Sequence, residues 1–277
     1  MRIIITGADG QLGQALQQVL DAHDLIPTDI PDYDITDAAI VQKFSDMRPG
    51  LIIHCAAMTD VDGCANDPDL AFKINAFGTQ NVAHACLRTN ADMLYVSTNE
   101  VFDGRADTPY PETARPNPIN AYGSSKRAGE QMAANYAKDR LYIVRTAWLY
   151  GDNERMFPSK IIAAADKHGE LRVVTDEISN PTYAPDLAEA IARLIETKAY
   201  GTYHLTNAGY CSRFDFAKEI LRLNGREQIL IRPITLADYP RASTVPHFTA
   251  LGNTNGPEIG IDELRPWPEA LAAFFGG

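Results

Sequence analysis

The sequence predicts an α/β fold built on a doubly wound parallel sheet, with a smaller mixed α/β lobe towards the C-terminus. Three observations carry this. A short apolar strand, Arg2 to Thr6, runs into a glycine-rich turn at Gly7. Beyond the turn, Leu12, Ala15, Leu16, Val19 and Leu20 recur at helical spacing, so one face of the next segment is apolar. The same alternation of strand and helix then repeats, as expected of a parallel sheet covered by helices on both faces.

In chain order, strands are expected near Asp24 to Thr28, Leu51 to Cys55, Met93 to Ser97 and Leu141 to Thr146. Helices are expected near Asp37 to Met47, within Asp69 to Thr89 and over Ala121 to Lys138. Past Gly151 the rhythm loosens. A helix is expected near Pro158 to Lys167 and a strand at Leu171 to Val174, and Pro185 is placed to start a helix carrying Leu187, Ala190, Ile191, Leu194 and Ile195. Gly201 to Thr206 and Ile229 to Ile234 read as strands, and Arg213 to Leu223 and Pro268 to Phe275 as helices. This places one domain at 1–151 and a smaller lobe at 152–277, with strands of the second free to return to the main sheet. The stretch Ala237 to Pro266 is dense in Pro, Gly, Asn and Thr but keeps apolar residues, and reads as ordered loop rather than linker.

A chain of 277 residues can bury a sizeable core, and 45% hydrophobic with 22% charged residues argues against disordered, collagenous and coiled-coil classes. Lys and Arg number 25 against 36 Asp and Glu, a formal charge of -11. That field repels phosphate backbones, so nucleic acid is not an expected partner, and an anionic small ligand needs local donors to overcome it. The four cysteines form no CxxC or Cys/His pattern, which fits a reducing compartment and offers no metal site. No apolar run approaches the roughly 20 residues of a membrane span, and no signal-peptide core follows Met1. A cytoplasmic protein without a membrane partner is therefore expected.

The turn Gly7-Ala8-Asp9-Gly10-Gln11-Leu12-Gly13 spaces its glycines by three between a strand and an amphipathic helix. Glycine lets the backbone approach a pyrophosphate, whose charge the N–H groups of the helix N-terminus then meet. An ordinary glycine-rich turn shares the pattern, but the flanking elements favour a Rossmann-type dinucleotide-binding domain over 1–151, with a substrate lobe at 152–277. Asp29 follows the second strand, 16 residues after Gly13, near where a carboxylate accepts from the adenosine ribose 2'-hydroxyl. It favours NAD(H) and leaves NADP(H) open, while Asp29, Asp32 and Asp34 also fit a solvated loop. Tyr122 and Lys126 lie four apart on one helix face, about 6 Å along the axis, a pairing in which an ammonium makes a phenol a usable acid. A half-buried tyrosine beside a solvated lysine is the plainer alternative. Val96-Ser97-Thr98-Asn99 closes a strand at the carboxyl edge, where Thr98 can hydrogen-bond a substrate oxygen.

Together these segments resemble the extended short-chain dehydrogenase/reductase superfamily. Ser97-Thr98-Asn99-Glu100-Val101-Phe102-Asp103-Gly104, Asn120 to Lys126, Arg145 to Gly151, Asn180 to Ala184, and Ala56 to Asp62 with Asn75 are similar, more narrowly, to the dTDP-4-dehydrorhamnose reductase family. The resemblance implies hydride delivery from NAD(P)H to the C4 ketone of a nucleotide-linked 4-keto-6-deoxy sugar. It implies that Tyr122 donates the proton, that Lys126 lowers its pKa and holds the nicotinamide ribose, and that Thr98 orients the carbonyl. Gly7, Asp9, Gly10, Gln11, Leu12, Gly13, Asp29, Ala56, Ala57, Thr59 and Ser97 then belong to the cofactor side, and Asn99, Trp148 and Arg241 to the substrate side. A homodimer is compatible with it.

Most departures fall in the substrate lobe. The family usually has Asp-Tyr where Asn99-Glu100 stand, Asn where Met156 stands, and Asp-Gln-x-Gly over Asp176 to Ser179. An arginine is expected where Val245 stands, and Arg241, four residues earlier, is the candidate replacement. Two alternatives stay open: a nucleotide-sugar epimerase or dehydratase on the same scaffold, and a non-catalytic dinucleotide-binding regulatory subunit like the beta subunit of methionine adenosyltransferase. Intact Thr98, Tyr122 and Lys126 speak against the second.

Overall fold

The computed structural model describes residues 1–152 and 156–276. The first half alternates as expected: β1 (Arg2–Thr6), α1 (Gln11–Val19), β2 (Asp24–Thr28), α2 (Ile40–Asp46) and β3 (Leu51–His54). Three helices, α3 (Val61–Asn66), α4 (Pro68–Phe72) and α5 (Thr79–Thr89), precede β4 (Asp92–Thr98), with a π-helical turn at Lys73–Gly78 between α4 and α5. Then come α6 (Ala121–Ala137) and β5 (Leu141–Thr146). The second half holds β6 (Leu149–Tyr150), α7 (Phe157–His168), β7 (Glu170–Val174), β8 (Ile178–Ser179), β9 (Thr182–Tyr183), α8 (Ala184–Thr197) and β10 (Gly201–His204). It ends with β11 (Asn207–Ala208), β12 (Cys211–Ser212), α9 (Arg213–Leu223), β13 (Leu230–Ile234), β14 (Leu264–Pro266) and α10 (Trp267–Phe274).

The main sheet is parallel and six-stranded, in the order β10-β5-β4-β3-β1-β2. The period-two rule decides which residues face which layer. Ile3, Ile5, Leu51, Ile53, Leu94, Tyr142 and Val144 pack against α1 and α8. Their alternates Ile4, Ile52, Met93, Tyr95, Leu141 and Ile143 pack against α2, α5 and α6. Both faces of these strands are therefore buried, which explains why they read as apolar runs. Chain order reverses between β1 and β3, so their carboxyl ends open a crevice at the topological switch point.

The chain does not separate at residue 151. Ile191 and Leu194 of α8 share the core of α1, and β10 joins the main sheet beside β5. The substrate-side lobe is consequently built around α7, β7, α9 and α10, with Phe216, Ile220 and Leu271 buried among them. The loop from 237 to 266 is ordered as expected: it closes 3-10 turns at Leu236–Asp238 and Pro257–Ile259 and adds β14. The helical stretch expected within 69–89 is interrupted by the π turn, which carries the buried Asn75. Its amide brackets Met58, accepting from the Met58 N–H at 2.8 Å and donating to the Met58 carbonyl at 3.0 Å, and also donates to Ser125 Oγ at 3.0 Å.

Candidate active site

The glycine turn forms because two of its glycines stand where a side chain has no room. Gly7 has φ of 67°, and a Cβ there would come within 2.7 Å of the Ala56 nitrogen. A Cβ at Gly13 would lie 2.3 Å from the Gly7 carbonyl, so glycine is needed for α1 to close on β1. Gly10 caps α1, leaving the N–H groups of Gln11, Leu12 and Gly13 on the first turn of the helix. Asp29 sits against this turn. Its carboxylate accepts from the Asp9 N–H at 3.0 Å and from the Ile30 N–H at 2.8 Å. Ala56, Ala57 and Thr59 follow β3 on the far side of the crevice, half-buried to exposed, with the Ala56 N–H donating to Thr6 Oγ1 at 3.2 Å. The glycine turn and the first turn of α1 thus form a cradle of backbone donors, with the Asp29 carboxylate fixed at its edge by the Asp9 and Ile30 N–H groups.

Beyond β4, the Thr98 hydroxyl caps a 3-10 turn, accepting from the Glu100 N–H at 3.2 Å. Tyr122, in the first turn of α6, is drawn upward in pKa by burial and by the Glu100 carboxylate, while hydrogen bonding with Thr98 pulls it down. Lys126 is buried, its ammonium donating to the Val96 carbonyl at 2.7 Å and lying 4.2 Å over the Tyr95 ring. Burial pushes it down to about 7, and Glu130 opposes that shift. Its charge acts on His54 and Cys55 beside the cofactor crevice. The strongest influences on the phenol are burial and Glu100, which raise it, and Thr98, which lowers it.

Two expected site residues are committed elsewhere. Ser97 is buried and donates to Glu130 Oε1 at 2.7 Å rather than facing the crevice. Glu130 is itself gripped by Arg145 at 2.7 and 2.9 Å and by Arg127 at 2.6 Å, so Ser97 belongs to a buried network tying β4, β5 and α6 together. Asn99, also buried, donates to Ser179 Oγ at 3.1 Å and Thr249 Oγ1 at 2.6 Å, and its carbonyl accepts from Thr98 at 3.1 Å. It fastens the end of β4 to β8 and the C-terminal loop and has little capacity left for substrate.

A cleft of ≈ 390 Å³ opens on the second lobe, lined by Asp62, Phe157, Lys160, Arg172, Glu177, Arg213, Tyr239 and Arg241 among others. Arg213 spans it from α9: it donates to Glu177 at 2.9 Å and its guanidinium lies 3.6 Å over the Trp148 ring. Trp148 has φ of 39°, a strained conformation for a bulky residue, just after β5. One face of its indole is thus covered by Arg213, so the expected sugar platform is shared with a cation. Arg241 does reach the cleft, donating to Asp62 at 3.0 Å through Nε. Arg213, Glu177 and Asp62 were invisible as site residues in the sequence because only folding brings 62, 177, 213 and 241 to one wall. Glu100 showed itself only as a departure from the family pattern. Among the described residues no cluster of His, Cys, Asp and Glu is arranged to hold a metal ion.

The model of the RmlD substrate binding domain family matches residues 1–276. A dTDP-4-dehydrorhamnose reductase of Mycobacterium tuberculosis is 37% identical over 280 residues, spanning 98% of this chain and 91% of its own. The crystal structure of a dTDP-4-dehydrorhamnose reductase from Clostridium acetobutylicum is similar with a TM-score of 0.96 and 41% identity, over 100% of this chain and 99% of that one. That of the Bacillus anthracis enzyme in complex with NADP gives 0.95 and 40%, over 99% and 98%. Because the match runs from the first strand to the last helix and takes in both lobes, the chain belongs to the dTDP-4-dehydrorhamnose reductase family and is an NAD(P)H-dependent oxidoreductase.

Proposed function

We propose that this chain reduces the C4 ketone of a nucleotide-linked 4-keto-6-deoxy sugar, with NADH accepted at least as well as NADPH. The observation that supports it most is the packing of the first turn of α6, which carries Tyr122, against the turn that Thr98 caps at the carboxyl end of β4, so close that a Cβ on Gly123 would come within 2.0 Å of the Glu100 carbonyl. When bound, the nicotinamide supplies the hydride. Thr98 orients the carbonyl oxygen, and Tyr122 gives it a proton as charge develops there. Lys126, whose ammonium donates to the Val96 carbonyl, would hold the nicotinamide ribose, and Arg213 and Arg241 in the cleft would meet the diphosphate with charge-assisted hydrogen bonds. Absorbance and product analysis with each reduced nicotinamide and a panel of nucleotide 4-keto sugars test this. Net cofactor consumption with alcohol formation is expected; an epimerase or dehydratase would show no net consumption, and a regulatory subunit no turnover.

The cofactor preference rests on Asp29. A carboxylate accepts from a 2'-hydroxyl and repels a 2'-phosphate. Asp29→Ala is therefore expected to weaken NADH about tenfold, as for one lost charged hydrogen bond, and to favour NADPH relative to wild type. Steady-state KM values for the two cofactors check it, and an NADH KM unchanged in the variant contradicts it.

Arg241 takes the place of the arginine missing at Val245. Arg241→Ala is expected to raise the sugar-nucleotide KM about tenfold to a hundredfold with the cofactor KM unmoved. Titration with dTDP-4-dehydrorhamnose decides between Arg241 and a different contact.

A further inference from the structure

Glu100 is a buried-side acid that the family pattern does not supply, placed against the catalytic turn by three separate contacts. Its N–H donates to Thr98 Oγ1 at 3.2 Å. Its carbonyl lies against the first turn of α6, where a Cβ on Gly123 would approach it to 2.0 Å. Its carboxylate Oε2 accepts from Asn120 Nδ2 at 2.6 Å, and the same Asn120 caps α6 by accepting from the Gly123 N–H at 2.8 Å. Thr98 and Asn120 thus hold Glu100 beside the first turn of α6, which carries Tyr122. Oε1 makes no hydrogen bond among the described residues and is not one of their sealed, unpartnered buried atoms.

We propose that Glu100 is a positioning residue for proton donation: its charge state sets how readily Tyr122 releases its proton to the substrate oxygen. This rests on Tyr122 being the proton donor. When Tyr122 donates, it becomes a phenolate, and an ionised carboxylate nearby opposes that charge, whereas a protonated one does not. Burial raises the Glu100 carboxyl to about 7, Glu177 pushes in the same direction, and Asn120, Arg213 and Arg241 oppose. Cys64 also lies near, its own thiol raised by burial, by Asp60 and by Glu100. The sign follows from these neighbours. Below the Glu100 pKa the carboxyl is neutral and donation by Tyr122 is easy; above it the carboxylate forms and donation becomes harder. Because Glu177, Arg213 and Arg241 all line the substrate cleft, Glu100 also connects the charge of that cleft to Tyr122.

The test is the pH profile of Glu100→Gln, which keeps an acceptor for Asn120. In wild type, kcat/KM for reduction is expected to fall about tenfold as pH rises through 7, by repulsion between two like charges at short range. In Glu100→Gln that fall is expected to disappear. An inflection of unchanged position and size in the variant overturns the proposal and assigns the limb to Lys126, which burial also brings to about 7. A second readout does not depend on turnover: infrared titration of the Glu100 carboxyl, isolated as the difference from Glu100→Gln. The carboxyl is expected to ionise near pH 7 in the folded protein, and ionisation in the ordinary carboxylate range also overturns the proposal. If Tyr122→Phe retains full turnover, the reading of Tyr122 as donor fails by itself, whatever the titration shows.

Discussion

Tyr122→Phe is expected to lower turnover a hundredfold or more while cofactor affinity stays within about twofold, because the variant keeps the ring and loses only the proton. A hundredfold is about 2.7 kcal/mol of transition-state stabilisation, the size of effect a general acid contributes when it touches the reacting oxygen. The structure makes the experiment clean. Thr98 caps the turn Asn99–Val101 and donates to the Asn99 side chain, neither of which involves Tyr122, so the strand end keeps its shape in the variant. Rapid-quench measurement of a single turnover, with cofactor binding followed separately by fluorescence, checks both halves. Near wild-type turnover would remove Tyr122 from the mechanism.

Arg145→Met is expected to destabilise the fold by about 3 kcal/mol or more, since removing one partner of a buried ion pair leaves the other uncompensated. Glu130 is the group that would be stranded. It is fully enclosed, held below the ordinary carboxylate range chiefly by Arg145 against the burial that raises it, with Ser97 and Arg127 as smaller supports. Arg127 is a third exposed and cannot replace a bidentate buried guanidinium. For a chain of this length the loss corresponds to roughly 6 °C or more in Tm. Thermal unfolding at pH 7 measures it. Arg145→Met combined with Glu130→Met is expected to recover most of the loss, because both charges then leave the interior together. If the double variant is no more stable than the single one, Arg145 supports the fold by some means other than pairing Glu130.

The network has a functional consequence, because it ties β4, β5 and α6 together one turn beyond Lys126. Ser97, expected to face the cofactor, is instead one of its members. Residues two apart on a strand share a face, so Ser97 lies with Tyr95 on the face that α6 covers, and its hydroxyl meets Glu130 there. Asn99 was misplaced for a related reason. The partners that occupy it, Ser179 and Thr249, lie 80 and 150 residues away.

What the sequence determined by itself is the part governed by local rules. The glycine turn, the apolar stripe of α1, the run of buried strands and the Tyr122-to-Lys126 helix each follow from backbone sterics or periodicity within a few residues, and each stands where the residues indicate. Tertiary structure alone decided the rest. It returned β10 to the main sheet and broke the helical stretch at Asn75 to bracket Met58. It also fixed Lys126 on the Val96 carbonyl and set Glu100 between Thr98 and Asn120. These outcomes depend on burial and on partners distant in the chain, and the charge state of a buried carboxyl or ammonium is a property of the surface that encloses it, which no local pattern records.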